Sequence, residues 1–203
     1  MIKNIIFDLG NVIINYDQKA IIERFTENEE EKEYIYNEIF NAPEWEMQDL
    51  GNITNIEAVE IINKRNNFKY EKLTQVFLME WYKKQKINKD IIKIAKKLKE
   101  KGYNIYVLSN MANFTYEYFK KEEFFSLCSG IIISAYEHLK KPDEKIYKLI
   151  LERYELKAEE CLFIDDTEKN YKTANKIGIQ GRNIIPNSSE DVIKLLKEYK
   201  IEL

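Results

Sequence analysis

The sequence holds one histidine, two cysteines, three prolines and six glycines in 203 residues. A single histidine, His138, cannot build a His-based zinc cluster, and its lysine-rich setting in EHLKK marks it as a loop residue. Cys128 and Cys161 lie far apart and fall into neither a C-x-x-C nor a metal-ligand spacing, so each reads as a small buried hydrophobe. No apolar run approaches the roughly 20 residues that span a bilayer. Met1 leads straight into an apolar strand with no secretory h-region before it, so no membrane partner is expected and the cytoplasm is the default address. Basic excess is missing as well: 32 Lys and Arg face 35 Asp and Glu, mixed along the chain, for a net charge of −3. No basic stripe is left to neutralise phosphates, so nucleic acid is not an expected partner. Neither a G-x-G-x-x-G fingerprint nor a G-x-x-x-x-G-K-S/T loop follows any strand-like run, which argues against nucleotide cofactors.

What is present suits one domain with a small inserted subdomain: 44% of residues are hydrophobic and 33% charged. Two textures divide the chain. From Asp17 to about Gln85 apolar residues recur at helical spacing, as in Ala20, Ile21, Ile22 and Phe25, then Leu73, Phe77, Leu78 and Trp81. Thr54 and Glu57 predict a capping box. From Asn88 onward the texture alternates: a Lys-rich amphipathic helix to Lys101, stopped at Gly102, precedes strands at Tyr103–Leu108, Gly130–Ser134 and Cys161–Ile164. Helices at Glu144–Tyr154 and Lys169–Ile177 fall among them, the second closed by Gly178. Ile5, Ile6 and Phe7 read as a first strand covered on both faces. The expectation is an α/β fold, a Rossmann-like doubly wound parallel sheet with a helical bundle inserted after strand one. Its boundaries are a core of residues 1–15 and 88–203 and an insertion of residues 16–87.

Parallel strands of this kind would bring four polar clusters to one edge. Strand one delivers Asp8; YNIYVLSN delivers Ser109 and Asn110; HLKKPD carries Lys141; CLFIDD ends in Asp165 and Asp166. Singly, each has a structural reading, with Ser109 as a helix cap, Lys141 as a solvated lysine and the aspartates as a helix start. Together they suit phosphoryl transfer to an aspartate. Mg²⁺ takes one or two carboxylates plus phosphate and water oxygens, which Asp8 and Asp166 can supply. Lys141 offsets negative charge, while the Ser109 hydroxyl and the Asn110 backbone donate to nonbridging phosphate oxygens. Asp8 would be phosphorylated and then hydrolysed by water.

The segments FDLGNV, VLSN, KKPDEKIY and FIDDTEKN resemble the four motifs of haloacid dehalogenase-like hydrolases. In wording they are most similar to subfamily IA phosphatases of the alpha-D-glucose-1-phosphate phosphatase kind and to the phosphatase domain of soluble epoxide hydrolases. The resemblance implies Asp8 as nucleophile, with Ser109, Asn110, Asn11 and Lys141 around the phosphate. It further implies Mg²⁺ held by Asp8, the Gly10 backbone carbonyl, Asp166 and Asp165, with Asn170 supporting the acidic loop. Residues 16–87 become a cap that sets substrate choice, and Trp45, in a break beside Pro43, is the aromatic expected to line the pocket. The expected partner is a small phosphomonoester, such as the sugar phosphate glucose 1-phosphate; monomer and homodimer both stay open. One departure stands out, because most family phosphatases carry a second, proton-donating aspartate two residues after the nucleophile and this chain has Gly10. Either the leaving hydroxyl is comparatively acidic, as in anomeric phosphates, or the cap lends an acid, with Glu46 and Asp49 as candidates. Alternatives from other classes are a metal-independent 2-haloacid dehalogenase, a phosphorylatable signalling module and a non-catalytic phosphate-binding protein.

Overall fold

Uninterrupted apolar runs build the centre of the molecule. In the computed structural model, which describes residues 1–203, the first such run is β1 (Asn4–Phe7), buried along its whole length. Helices follow without a strand. These are α1 (Gln18–Ile22), α2 (Glu29–Tyr34) running into a π-helical turn over Ile35–Phe40, α3 (Pro43–Asp49), α4 (Asn55–Arg65) and α5 (Glu71–Glu80), which tightens into a 3-10 turn over Trp81–Lys84. Alternation begins with α6 (Lys89–Glu100), β2 (Asn104–Ser109), α7 (Asn113–Phe119), α8 (Glu123–Leu127) and β3 (Cys128–Ile133). It ends with α9 (Ser134–Glu137), α10 (Glu144–Arg153), β4 (Cys161–Asp165), α11 (Glu168–Lys176), β5 (Gln180–Asn183) and α12 (Ser189–Glu198). No helix is long and apolar enough to cross a membrane.

The five strands pair only in parallel, in the order β3-β2-β1-β4-β5. The chain winds outward from β1 through β2 to β3, then returns to the other side of β1 for β4 and β5. The order therefore reverses between β1 and β4, and such a reversal opens a crevice outside the carboxyl ends of the strands. Register pairs Phe7 with Ile164 across that reversal. Asp8 and Asp165 consequently leave their strands at one level.

Two apolar layers hold the sheet. Ile5, Phe7, Ile105, Val107, Leu162 and Ile164 join Ile91, Ala95 and Leu98 of α6 and Val192, Leu195 and Leu196 of α12 on one face. Ile6, Tyr106, Leu108 and Phe163 join Ile146, Tyr147 and Ile150 of α10 on the other. Each large apolar side chain buried this way contributes about 1.5–3 kcal/mol, so the central strands are apolar between their ends. Helix starts carry their own caps: Asp17, Asn28, Asn88, Asp143 and Ser188 each accept from a backbone N–H in the first turn. The expected Thr54–Glu57 capping box forms in both directions.

The connections into and out of the helical insertion run side by side. Asn15 N–H donates to Lys86 O at 2.9 Å and Asn88 N–H to Ile13 O at 2.8 Å. Through Ile13, Ile14 and Ile21 the apolar interior of the insertion is continuous with that of the sheet. At its other side the insertion docks on α9. Gly51 has φ +68, and a Cβ there would fall 2.0 Å from Ala135 O, so only glycine permits the approach. Beside it Ser134 Oγ donates to Asp49 O, and Nδ1 of the exposed loop residue His138 lies 2.9 Å from Leu50 O.

The sequence reading omitted β5 and α12. β5 reads QGRN, with only Gly181 buried, because an edge strand pairs on one side and needs no apolar run. Gly181 is there for space: a Cβ would come within 2.3 Å of Phe163 O. Both cysteines are free thiols; Cys161 is buried and Cys128 partly so.

Candidate active site

Four loops at the carboxyl edge converge on one ammonium group. Lys141 Nζ lies 2.8 Å from Asp8 Oδ1 and 2.6 Å from Asp165 Oδ2, with its side chain only 1% exposed. It is therefore a buried counter-ion rather than a solvated lysine. Asn110 holds it there: Asn110 Nδ2 donates to Lys141 O at 2.9 Å, and Lys141 N–H donates to Asn110 Oδ1 at 2.8 Å. Both ends of that amide are occupied, so only the Asn110 backbone is left to meet a ligand. Ser109, the last residue of β2, is buried. It caps no helix, since α7 begins after Ala112.

The acidic loop after β4 is divided in the same way between support and open valence. Asp165 is wholly buried, and its two oxygens accept from Asn170 Nδ2 at 3.1 and 3.0 Å, from Thr167 N–H at 2.7 Å and from Lys141. Asp166 is partly exposed and accepts from Asn11 Nδ2 at 3.1 Å and Thr167 Oγ1 at 3.3 Å. Asn11 sits at φ 54 in the left-handed region, with its side-chain oxygen accepting from Tyr16 N–H at 3.0 Å. Its amide thus orients Asp166. The Asn170 amide, matched in the sequence to a loop-supporting position, does support that loop.

Carboxylate oxygens of Asp8, Asp165 and Asp166 all lie within 4.8 Å of one another. Burial pushes Asp8 up to about 7; Lys141 lowers it, while Asp165 and Asp166 raise it. Burial also raises Asp166, against the hydrogen bond from Asn11. On Lys141 burial presses the other way, but Asp165 and Asp8 more than offset it and keep the ammonium charged. One cation among three carboxylates leaves uncompensated negative charge, and a divalent metal relieves it.

Next to this cluster is a cavity of about 160 Å³ whose walls include Gly10, Tyr16, Trp45, Asp49, Trp81 and Asn110. A cavity of roughly this size accepts a benzene-sized group. Trp45 lines it. Its ring sits 5.1 Å from that of Trp81, which is 5.8 Å from Tyr16. Sequence reasoning missed Tyr16 and filed Trp81 with the core; the signal for Tyr16 is its place just beyond the first motif. Trp81 Nε1 and Thr115 Oγ1, both on wall residues, are buried without a hydrogen-bond partner. Gly10 contributes backbone only, and a Cβ there would meet nothing within 4 Å. Of the two candidate acids, Glu46 is 58% exposed and paired with Lys140 at 2.6 Å, whereas Asp49 is on the cavity wall.

The haloacid dehalogenase-like hydrolase profile matches residues 2–178. A family enzyme from Bacteroides thetaiotaomicron is 25% identical, superposing with a TM-score of 0.76 over 95% of this chain and 98% of its own. That protein has also been solved with magnesium and inorganic phosphate, at 24% identity and a TM-score of 0.76. The L-2-haloacid dehalogenase of Xanthobacter autotrophicus shares the fold at 14% identity, with a TM-score of 0.67 over 100% of this chain and 85% of its own. Among curated proteins, a sesquiterpene phosphatase of Aspergillus oryzae is 27% identical over 45% of this chain, and a drimenol cyclase of Aspergillus calidoustus is 23% identical over 97% of it. The chain spans 47% and 36% of the lengths of those two relatives. With the family profile matched over most of its length and the doubly wound sheet around its motifs, the chain belongs to the haloacid dehalogenase-like hydrolases.

Proposed function

We propose that this hydrolase is a Mg²⁺-dependent phosphatase for a small phosphomonoester, working through a phosphoaspartyl group on Asp8. The observation that carries the reading is three carboxylates within 4.8 Å around a single buried lysine. Asp8, the Gly10 carbonyl and Asp166 would hold the metal. Asp165, already bonded to Lys141, Asn170 and Thr167, closes the set from behind. When bound, Mg²⁺ neutralises charge as a phosphate dianion meets a carboxylate. Asp8 attacks phosphorus; the Ser109 hydroxyl and the Asn110 backbone N–H donate to the nonbridging oxygens; Lys141 compensates the charge that spreads over them. Water then releases phosphate from Asp8. Residues 16–87 act as a cap over the core of residues 1–15 and 88–203, with Trp45 over the substrate.

A sugar phosphate such as glucose 1-phosphate is the specific candidate. The aromatic walls formed by Tyr16, Trp45 and Trp81 suit its apolar side. A second reading, the phosphate of a compact apolar alcohol, draws on the same aromatic walls and on the sesquiterpene phosphatase relative. A metal-independent dehalogenase accounts less well for the site, because Lys141 is then one cation against three carboxylates and such a reaction brings no second one. Phosphate release from glucose 1-phosphate, glucose 6-phosphate, a prenyl monophosphate and para-nitrophenyl phosphate, with and without Mg²⁺, tests the proposal. Magnesium-dependent release abolished by Asp8→Asn is the expected result. Release of halide from 2-chloropropionate without metal, and no phosphate from any ester, overturns it.

A further inference from the structure

We infer that Asp49, at the end of α3, donates the proton to the leaving alcohol and then activates the hydrolytic water. The inference rests on the phosphatase reading and adds to it the residue that handles the proton. Attack by Asp8 breaks the bond from phosphorus to the ester oxygen, and that oxygen must leave as an alcohol. Gly10, two residues after Asp8 in the chain and on the cavity wall, has no side chain to protonate it, and the space beyond its Cα is open. Asp49 and Gly10 line the same cavity, and Asn110 lies on the wall with them.

The backbone around Asp49 is pinned to the sheet domain. Ser134 Oγ donates to Asp49 O, His138 Nδ1 meets Leu50 O at 2.9 Å, and Gly51 abuts Ala135. A carboxyl borne on the insertion is thereby held over a site built by the other loops. Lys140, whose charge acts on Asp49, is paired with Glu46 at 2.6 Å instead. Glu46 is exposed and absent from the cavity wall, whereas Asp49 is on it. The groups that act on Asp49 are Lys140 and the Ala112 N–H, which lower its pKa, and Glu46 and Asp8, which raise it; Tyr16 faces it as well. Burial is the largest influence and pushes Asp49 up to about 7, the range in which a carboxyl both gives and takes a proton at neutral pH.

The proton balance closes over one turnover. Neutral Asp49 passes its proton to the departing oxygen and becomes a carboxylate. Water attacks phosphorus, Asp49 takes a proton from it, and the bond from phosphorus to Asp8 breaks to free phosphate. Asp8 returns as a carboxylate and Asp49 as an acid, so ester and water become alcohol and phosphate.

The test measures kcat/KM for phosphate esters of increasingly poor leaving groups, from para-nitrophenyl through phenyl to alkyl, in wild type, Asp49→Asn and Glu46→Gln. Asp49→Asn is expected to lose about 10²–10⁴-fold on alkyl esters and little on para-nitrophenyl phosphate. Its kcat/KM for alkyl esters is also expected to lose the fall that wild type shows as pH rises through about 7, the value at which Asp49 gives up its proton. Gly10→Asp added to Asp49→Asn is expected to restore part of the alkyl activity, since the position has room for a side chain. Glu46→Gln leaves the leaving-group slope unchanged. Equal slowing of all esters by Asp49→Asn, or no slowing, overturns the inference alone. A wild type that releases phosphate from no ester overturns it together with the phosphatase reading.

Discussion

Replacing Lys141 with methionine keeps most of the side-chain volume and removes the charge, so it isolates the electrostatic part of the site. In the native protein one ammonium lies 2.8 Å from Asp8 and 2.6 Å from Asp165 with its side chain 1% exposed. Removing one member of a buried ion pair costs about 3–5 kcal/mol, because the remaining charge is left without solvent or partner. For a chain of this length each kcal/mol moves the thermal midpoint by about 2–4 °C, so a fall of roughly 6–20 °C is expected at pH 8. The pH dependence has a definite sign. Asp8 is already raised to about 7, and Lys141 is the charge that lowers it. Without that charge its folded-state pKa climbs further above the unfolded value, and a carboxyl raised in this way destabilises increasingly as pH rises toward its folded pKa. The deficit should therefore widen from pH 5 to pH 8. Mg²⁺ should recover part of it, since a ligand at 100 times its Kd stabilises by about 2.7 kcal/mol and the variant has more charge to compensate. The assay is a thermal melt of both proteins at the two pH values, with and without Mg²⁺. A variant midpoint within about 2 °C of wild type at pH 8 would refute the reasoning and mean that the carboxylates carry a proton of their own.

Asn170→Ala removes the amide nitrogen that donates to both oxygens of the buried Asp165 carboxylate and should cost about 1.5–3 kcal/mol, read as a lower denaturant midpoint at unchanged m-value. Gly51→Ala forces a left-handed alanine, worth about 1–2 kcal/mol, against the Ala135 carbonyl. It should lower the melting midpoint and raise KM by loosening the insertion from α9; an unchanged KM would show that this contact does not position the cavity wall. Trp45→Ala strips a wall of the cavity and should raise KM for ring-bearing esters about tenfold, equivalent to about 1.4 kcal/mol of lost binding, with far less effect on para-nitrophenyl turnover at saturation.

The strands legible in the sequence share one property, burial on both faces. The apolar runs within β1, β2 and β4, IIF, IYVL and CLFI, are read from the sequence because helices cover both sides of a parallel sheet. Helix starts were legible where a side chain caps its own helix, as at Thr54, since that interaction spans only three residues. The site residues were readable for a related reason: they directly follow the apolar runs. Their supporting partners were harder to read. The clasp of Asn110 on the Lys141 backbone joins residues 31 apart, and Asn11 reaches Asp166 across 155.

Local chemistry alone determined which segments become strands and helices and that Asp8, Ser109 and Asp165 stand at the ends of apolar runs, because strand burial and helix capping act within a few residues. Tertiary structure alone decided that β4 lies against β1, which brings Asp165 level with Asp8, and that β5 closes the edge with almost no apolar character. It also separated Glu46 from Asp49. The two stand three residues apart on one helix, neighbours on the same face by spacing, and nothing local ranks them. The docking of α3 on α9 gives Glu46 to Lys140 and Asp49 to the cavity, since contact between elements distant in the chain, and not propensity, settles which side chain meets solvent and which meets the cavity.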